Sequence, residues 1–503
     1  MEKGPEKLDF KRIIEDCVIV IVIAIVAFSA IFTKPISDLD EIWNYNFARN
    51  LANGLVPYKD FNIVTTPLLP MICGMILNIF GNQLIVMRYL AVILMCLIFF
   101  FTYKILCELL PKNIALLLMV VFVSLYRNVM CIDYNYSVLF IALILLYIEL
   151  KNKKDDIFEY SFRYNFAIGL IAGIAVLFKQ SVGGAVAIAC IGYKIFEIRK
   201  KEDIKIFIKI ALTRFLGVLI PMICFVIYLL LNNALNDFIN YAVLGIKTFS
   251  NRQQYTELLK KDNISVLVVL APIALILMFL MLFTKKVKEE ICMIFAYSIS
   301  MFIVVFPICD EVHFLIGTII IFIGLAYIIY EYSFKFYSKD LKREYKLFVY
   351  GLITFISILF LLIISYKSME KFKNSYVLIN KEETLNHFIG IPENIGLKKR
   401  IEEIDDYILE QNGKGKKVYI LDAEAALYYI PLDMYNKDYD LFTKGNFGAD
   451  GEDGLIERIK KEDNAIYLLK KYGLNWQNPD KVREYVLDNL NQTGDISFFM
   501  IYE

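Results

Sequence analysis

Histidine is nearly missing from this 503-residue chain: His313 and His387 are the two it has. A metal centre built on several imidazoles is thereby excluded. Cysteine is present as nine residues, but none follows Cys309, and no C-x-x-C pair or other ligand spacing occurs. A zinc ribbon and a thioredoxin-type redox pair are excluded with it. The cysteines lie mostly inside apolar runs and read as small core or lipid-facing residues. Net charge is lacking too. The 54 Lys and Arg against 53 Asp and Glu leave +1, no surplus that would draw nucleic acid. There is no internal repeat and no low-complexity tract.

What the chain has in excess is apolar surface. It is 58% hydrophobic with a mean hydropathy of +0.54, above the share of roughly half that soluble domains carry. Aromatics reach 15%, which suits helices whose ends meet water. A basic start (Lys3, Lys7, Lys11, Arg12) leads into Ile13–Phe32 with no small-x-small cleavage site after it. This predicts an anchored first helix beginning in the cytoplasm. The hydropathy pattern predicts about eleven spans. They lie near 13–33, 84–107, 113–129, 137–150, 165–178, 182–198, 206–231, 264–284, 291–308, 314–333 and 346–366. The run Pro67–Phe80 reads instead as an interfacial or re-entrant helix. Lysine and arginine gather in KNKKDD (151–156), RKKED (199–203), TKKVKEE (284–290) and SKDLKREYK (338–346), while 130–136 and 308–313 have none. The positive-inside rule then turns the Lys34–Arg88 stretch outward, together with everything after residue 366.

Two parts follow: a membrane module, 1–366, and a polar outer domain, 367–503. KKVYILD, NAIYLL and ISFFMIYE read as strands, and AEAALYYI, GLIERIKKE and NPDKVREYVLDNL as helices, which predicts a small α/β domain. No cysteine is available to brace it with a disulfide.

The chemistry concentrates in the first outer loop, 34–83. Ser37-Asp38-Leu39-Asp40-Glu41 is a helix start, with Asp38 as N-cap and Glu41 three residues on. Asp40 remains over, on one face with Trp43, Asn44 and Phe47. A helix cap and a general base are both open readings of this acidic run. Asp60, in VPYKDFN, fits turn chemistry. Asp133 in CIDYNYS either caps the helix after it or supplies a second outer carboxylate. Lys179 and Gln180 fall at an outer hairpin, where topology asks for no lysine. A cation there could hold a lipid phosphate, and Arg88 is a weaker candidate of the same kind. Gly169, Gly173, Gly183 and Gly184 permit close helix approach. The loop 232–263 suits an amphipathic lid, with Phe238, Tyr241, Leu244 and Phe249 on lipid and Lys247 and Arg252 reaching phosphate. Asp310, Glu311 and His313 cluster at another outer helix end. One imidazole beside adjacent carboxylates is a poor ligand set, so a divalent metal is unsupported and polar contact with a donor head group is preferred.

Asp40-Glu41, then G-x-x-P-Y-x-D from Gly54 to Asp60, Pro67, Phe80-Gly81 and Arg88 together resemble the polytopic GT-C type glycosyltransferases. These include bacterial relatives of protein O-mannosyltransferases and of lipid A aminoarabinose transferases. GLIAGIAVLFKQ is similar to the family's small-residue helix ending in lysine, and the late His313-Phe314 also has counterparts. The resemblance covers about residues 10–330. It implies inverting transfer of a sugar from a polyprenyl-phosphate donor to a hydroxyl of a lipid, glycan or protein acceptor. It implies Asp40 as the base, with Glu41 beside it, and Lys179 near the donor phosphate. Gln180, Arg88, His313, Asp133 and Tyr58 are the further candidates for substrate contact. The family's oligosaccharyltransferases add paired acidic metal motifs, which have no clean counterpart here. The rival readings are a transporter or flippase of a lipid-linked saccharide and an outer-domain receptor. The first expects mid-helix charge or inverted repeats, and the second leaves the loaded first loop unexplained.

Overall fold

The structure is a computed structural model. It describes residues 10–36, 39–153, 161–198, 200–248, 253–284, 288–334, 343–379, 385–392, 395–472 and 478–503. The expected cap Asp38, and Phe249 and Arg252 of the expected lid, lie outside these residues.

The apolar runs fold into helices. They are α1 (Phe10–Phe32), α2 (Leu39–Ala52), α3 (Leu68–Phe80), α4 (Leu84–Leu109), α5 (Lys112–Tyr126), α6 (Tyr134–Asn152), α7 (Phe162–Phe178) and α8 (Gln180–Gly192). The series continues with α9 (Lys201–Leu231), α10 (Ser265–Leu282), α11 (Glu289–Phe302), α12 (Glu311–Ile329) and α13 (Arg343–Ile379). A helix stands at every expected span. Seven of them, among the described residues, are long and apolar enough to cross a membrane. α3 has 13 residues, about 20 Å of helix, too short to cross. It packs on α2 with Leu69, Cys73 and Leu77 buried and turns Met75, Ile79 and Phe80 outward.

α6 and α12 are the most enclosed spans, and α13 stands at the rim against α1 and α5. α7 and α9 cross at backbone contact, because a Cβ added at Gly169 would sit 2.0 Å from the Arg214 carbonyl oxygen. The spans were expected to be nearly free of internal charge. One charged pair is buried among them, Arg214 of α9 donating to Glu149 of α6 at 2.6 Å, with Asn165 and the Cys190 carbonyl completing its shell. Each charge there is paired and bonded, as burial requires.

The C-terminal domain, expected on the outer side and called the outer domain below, carries α14 (Ile395–Gly413), α15 (Gly451–Ile459) and α16 (Asp480–Asn489) beside a four-stranded sheet. Its strands β1 (Lys417–Leu421), β2 (Ala465–Lys470), β3 (Gln492–Ile496) and β4 (Phe499–Tyr502) lie in the order β1-β2-β4-β3. β1 and β2 are parallel, with Val418 opposite Ile466, and α15 lies in the connection between them. The other pairs are antiparallel. The single last strand expected at ISFFMIYE is instead a hairpin. Ser497 takes a left-handed φ of 48° and reverses the chain inside the apolar run.

Candidate active site

α2 begins the site. Its first turn holds Asp40 and Glu41 and its last turn Arg49, charges placed to suit the helix dipole. Asp40 is half-buried, and the Asn44 side chain donates to its backbone carbonyl at 2.8 Å.

Three further segments converge on Asp40. Asp133 caps α6, accepting from the Asn135 amide at 2.6 Å. Lys179 breaks the chain between α7 and α8. Its Nζ donates to Asn135 Oδ1 at 2.9 Å and lies 4.7 Å from the centre of the Tyr134 ring. Asp310 caps α12, and its Oδ1 lies 2.8 Å from both the backbone N and the Nδ1 of His313. Burial pulls the Lys179 ammonium below its ordinary range, and the carboxylates of Asp133, Asp40 and Asp310 oppose it. Burial pushes Asp133 upward against the pull of Lys179 and His313. Burial would raise Asp310 as well, but the hydrogen bond and charge of His313, together with the backbone amides of Val312 and His313, hold it low. One cation thus stands in the shared field of three carboxylates drawn from distant parts of the chain. Among the described residues, no group of three or more His, Cys, Asp or Glu side chains is placed to hold a metal ion.

Other expected residues take different positions. Glu41 and Arg88 do not face the Lys179 cluster but grip each other. Arg88 donates from Nε and Nη2 to the two carboxylate oxygens, each at 2.8 Å, and from Nη1 to the Lys34 carbonyl at 2.7 Å. Both side chains are buried, so the fork ties α2 to α4. Tyr58 is sealed inside the loop with a left-handed φ of 69°, donating to the Thr65 carbonyl at 2.7 Å. Its ring meets Phe238 edge-on. Gln180 clamps the end of the first loop, donating to the Val64 carbonyl at 2.8 Å and accepting from the Thr66 amide at 3.0 Å. Asp60 closes a turn by accepting from the Val56 amide at 2.7 Å. In the expected lid, Tyr241 is buried and Phe238 packs on Tyr58 and Phe225 rather than facing lipid. Leu244 and Lys247 stay exposed. Sequence reasoning missed Tyr134 and Asn135, the cradle under Lys179. In the run Asp133-Tyr134-Asn135 the sequence singles out Asp133 alone, as a cap or a second outer carboxylate.

The outer domain docks directly on α2. The Trp43 indole donates to the Ala423 carbonyl at 2.9 Å and Asn46 to Asp440 at 3.1 Å. Arg49 donates to the carbonyls of Ile430 and Met434. The loop before α10 is pinned to the same domain, where the Ala449 amide donates to Asn240 at 2.9 Å. α2 is therefore held between the bundle and the outer domain.

Comparison with known proteins bears on the fold. Residues 64–229, which include Asp133 and Lys179, match the family model described as dolichyl-phosphate-mannose-protein mannosyltransferase. Among solved structures, ArnT from Cupriavidus metallidurans in the apo state aligns over 98% of each chain with a TM-score of 0.59 at 12% identity. The same protein bound to undecaprenyl phosphate aligns over 97% of each chain with a TM-score of 0.57 at 11% identity. At such identity the likeness establishes the fold. No curated protein matches the sequence. The chain therefore has the GT-C type fold along its whole length, with a protein mannosyltransferase family match over residues 64–229.

Proposed function

We propose that the protein transfers a sugar from a polyprenyl-phosphate donor to an acceptor hydroxyl at the outer face of the membrane, with inversion. The observation that carries this reading is the convergence of Asp40, Asp133 and Asp310 on the Lys179 ammonium. The undecaprenyl phosphate bound to ArnT, which shares the fold, supports a lipid phosphate as the leaving group.

A lipid-linked donor is confined to the bilayer, so its phosphate meets the protein where helices end. Lys179 lies at such an end, between α7 and α8. In the proposed step the acceptor oxygen attacks the anomeric carbon from the face opposite the phosphate. Asp40 takes the hydroxyl proton. The bond between that carbon and the phosphate oxygen breaks, and its electron pair leaves with the polyprenyl phosphate. Charge grows on the departing oxygen, and an adjacent ammonium offsets it. Asn135 and the Tyr134 ring hold Lys179 in place for this task. Asp310 orients His313 for polar contact with the head group. Glu41, Arg88 and Gln180 fix the segments that carry these groups.

Transfer assayed with a purified polyprenyl-phosphate sugar tests the roles. Asp40→Asn is expected to abolish transfer, by at least about a hundredfold, while the protein still inserts and folds. Lys179→Ala is expected to raise the donor KM. Parental transfer by Asp40→Asn, or an unchanged donor dependence in Lys179→Ala, would reject the respective assignment.

A further inference from the structure

His387 sits where three parts of the chain meet: α2, the turn into α4, and the outer domain. Its Nδ1 lies 2.7 Å from the Asn82 carbonyl oxygen, and its Nε2 lies 2.7 Å from Asp433 Oδ1. A backbone carbonyl and an ionised carboxylate offer lone pairs and no hydrogen. Both contacts are satisfied together when each ring nitrogen donates, the arrangement of an imidazolium. Tyr45 of α2 does not relieve this, since its hydroxyl, 3.0 Å from the same Asn82 oxygen and 3.1 Å from Nδ1, supplies no proton between them.

The surroundings are built for the contact. The ring is buried, whereas the Asp433 side chain is 60% exposed. His387 and Asp433 both hold left-handed backbone, with φ of 69° and 54°. The His387 carbonyl accepts the Leu84 amide at 2.9 Å, at the start of α4. Among the described residues, the other charged group at hand is Arg49 of α2, 3.9 Å from Asp433 Oδ1. Loss of either ring proton sets two lone pairs against each other, at Asp433 or at Asn82.

We propose that His387 is a positioning residue: as the imidazolium it fastens the outer domain to the helix that bears Asp40, and its deprotonation loosens that attachment, so transfer declines as the outer pH rises. The activity part rests on the function proposed above. The attachment itself does not, and it has its own reporter, because the Trp43 indole is bonded to Ala423 of the outer domain.

The test uses the full-length protein in detergent with the other tryptophan removed as Trp476→Phe. Trp43 emission is followed from pH 5 to pH 8, the interval in which histidine side chains change charge. A shift to the red is expected as the pH rises. It should disappear in Asp433→Asn, whose amide can turn its NH2 toward a bare ring nitrogen, and in His387→Gln. Asp440 also faces α2, and burial pushes its carboxyl up to about 6, so Asp440→Asn is the control and should keep the titration. Transfer should fall along the same curve in the parent and lose that pH dependence in Asp433→Asn. The proposal is overturned if Trp43 does not titrate, if the titration survives Asp433→Asn, or if it vanishes only with Asp440→Asn. A flat transfer profile beside a clear Trp43 titration also overturns it. Absence of transfer at every pH, with Trp43 titrating as expected, would count against the enzymatic reading and leave the attachment standing.

Discussion

At the scale of single residues, neighbouring acids stand in different surroundings. Asp40 faces the Lys179 field, while Glu41 is locked to Arg88 by a two-pronged, buried bond. Removing one member of such a pair strands a charge away from water, at roughly 3–5 kcal/mol. Glu41→Ala is therefore expected to lower yield and thermal stability, while the fraction that folds keeps much of its turnover. Measuring specific activity against folded protein by size exclusion separates this from a chemical role, for which turnover would drop in well-folded material. This assignment was not legible in the sequence. Asp-Glu and a distant arginine look the same whether they wait for substrate or hold each other. Lys179 stands out in the sequence, because a hairpin expected on the outer side has no topological need for a lysine. Its cradle was not, because a tyrosine and an asparagine acquire their role only through the contact.

At the scale of elements, helix contact and strand reversal decide the outcome. Gly169 is where α7 touches α9, and Gly169→Leu would force the two backbones apart. An expected loss of about 1–3 kcal/mol can be read as a lower melting temperature in detergent. Lys179, at the far end of the same helix, should then bind donor less well. In the outer domain, Asp405 on α14 is buried among apolar residues, with Asp406 and Glu402 nearby, and burial drives its carboxyl up to about 8. A carboxyl raised by folding stabilises fully below its unfolded value near 3.8, and that stability drains away as the pH climbs through about 8. The outer domain should lose up to about 1.4 kcal/mol per pH unit over that window. Asp405→Asn should flatten the dependence when melting is followed from pH 6 to pH 9. The helices and parallel strands were visible from their periodicity. The β3–β4 hairpin was hidden, because Ser497 turns within an apolar stretch that has no glycine or proline to mark the turn.

At the scale of the molecule, the helical bundle and the C-terminal domain are interlocked through α2. Trp43, Asn46 and Arg49 of α2 all bond to the outer domain. Composition could not reveal this, since each of these residues would look equally at home facing solvent. The orientation expected from the charge of the loops, with α2 and the C-terminal domain outside, predicts that single cysteines placed at exposed positions such as Tyr435 or Leu487 react with an impermeant maleimide on intact cells. Labelling of those positions only after the cells are opened would reverse the orientation. Arg49 then gives the interlock a practical meaning. Its guanidinium leans on carbonyls of Ile430 and Met434, so a truncated chain ending after α13 would leave that cation facing an empty socket. Grafting a foreign cap onto this bundle would fail for want of those carbonyls, and the two halves have to be inherited, exchanged or engineered as one piece.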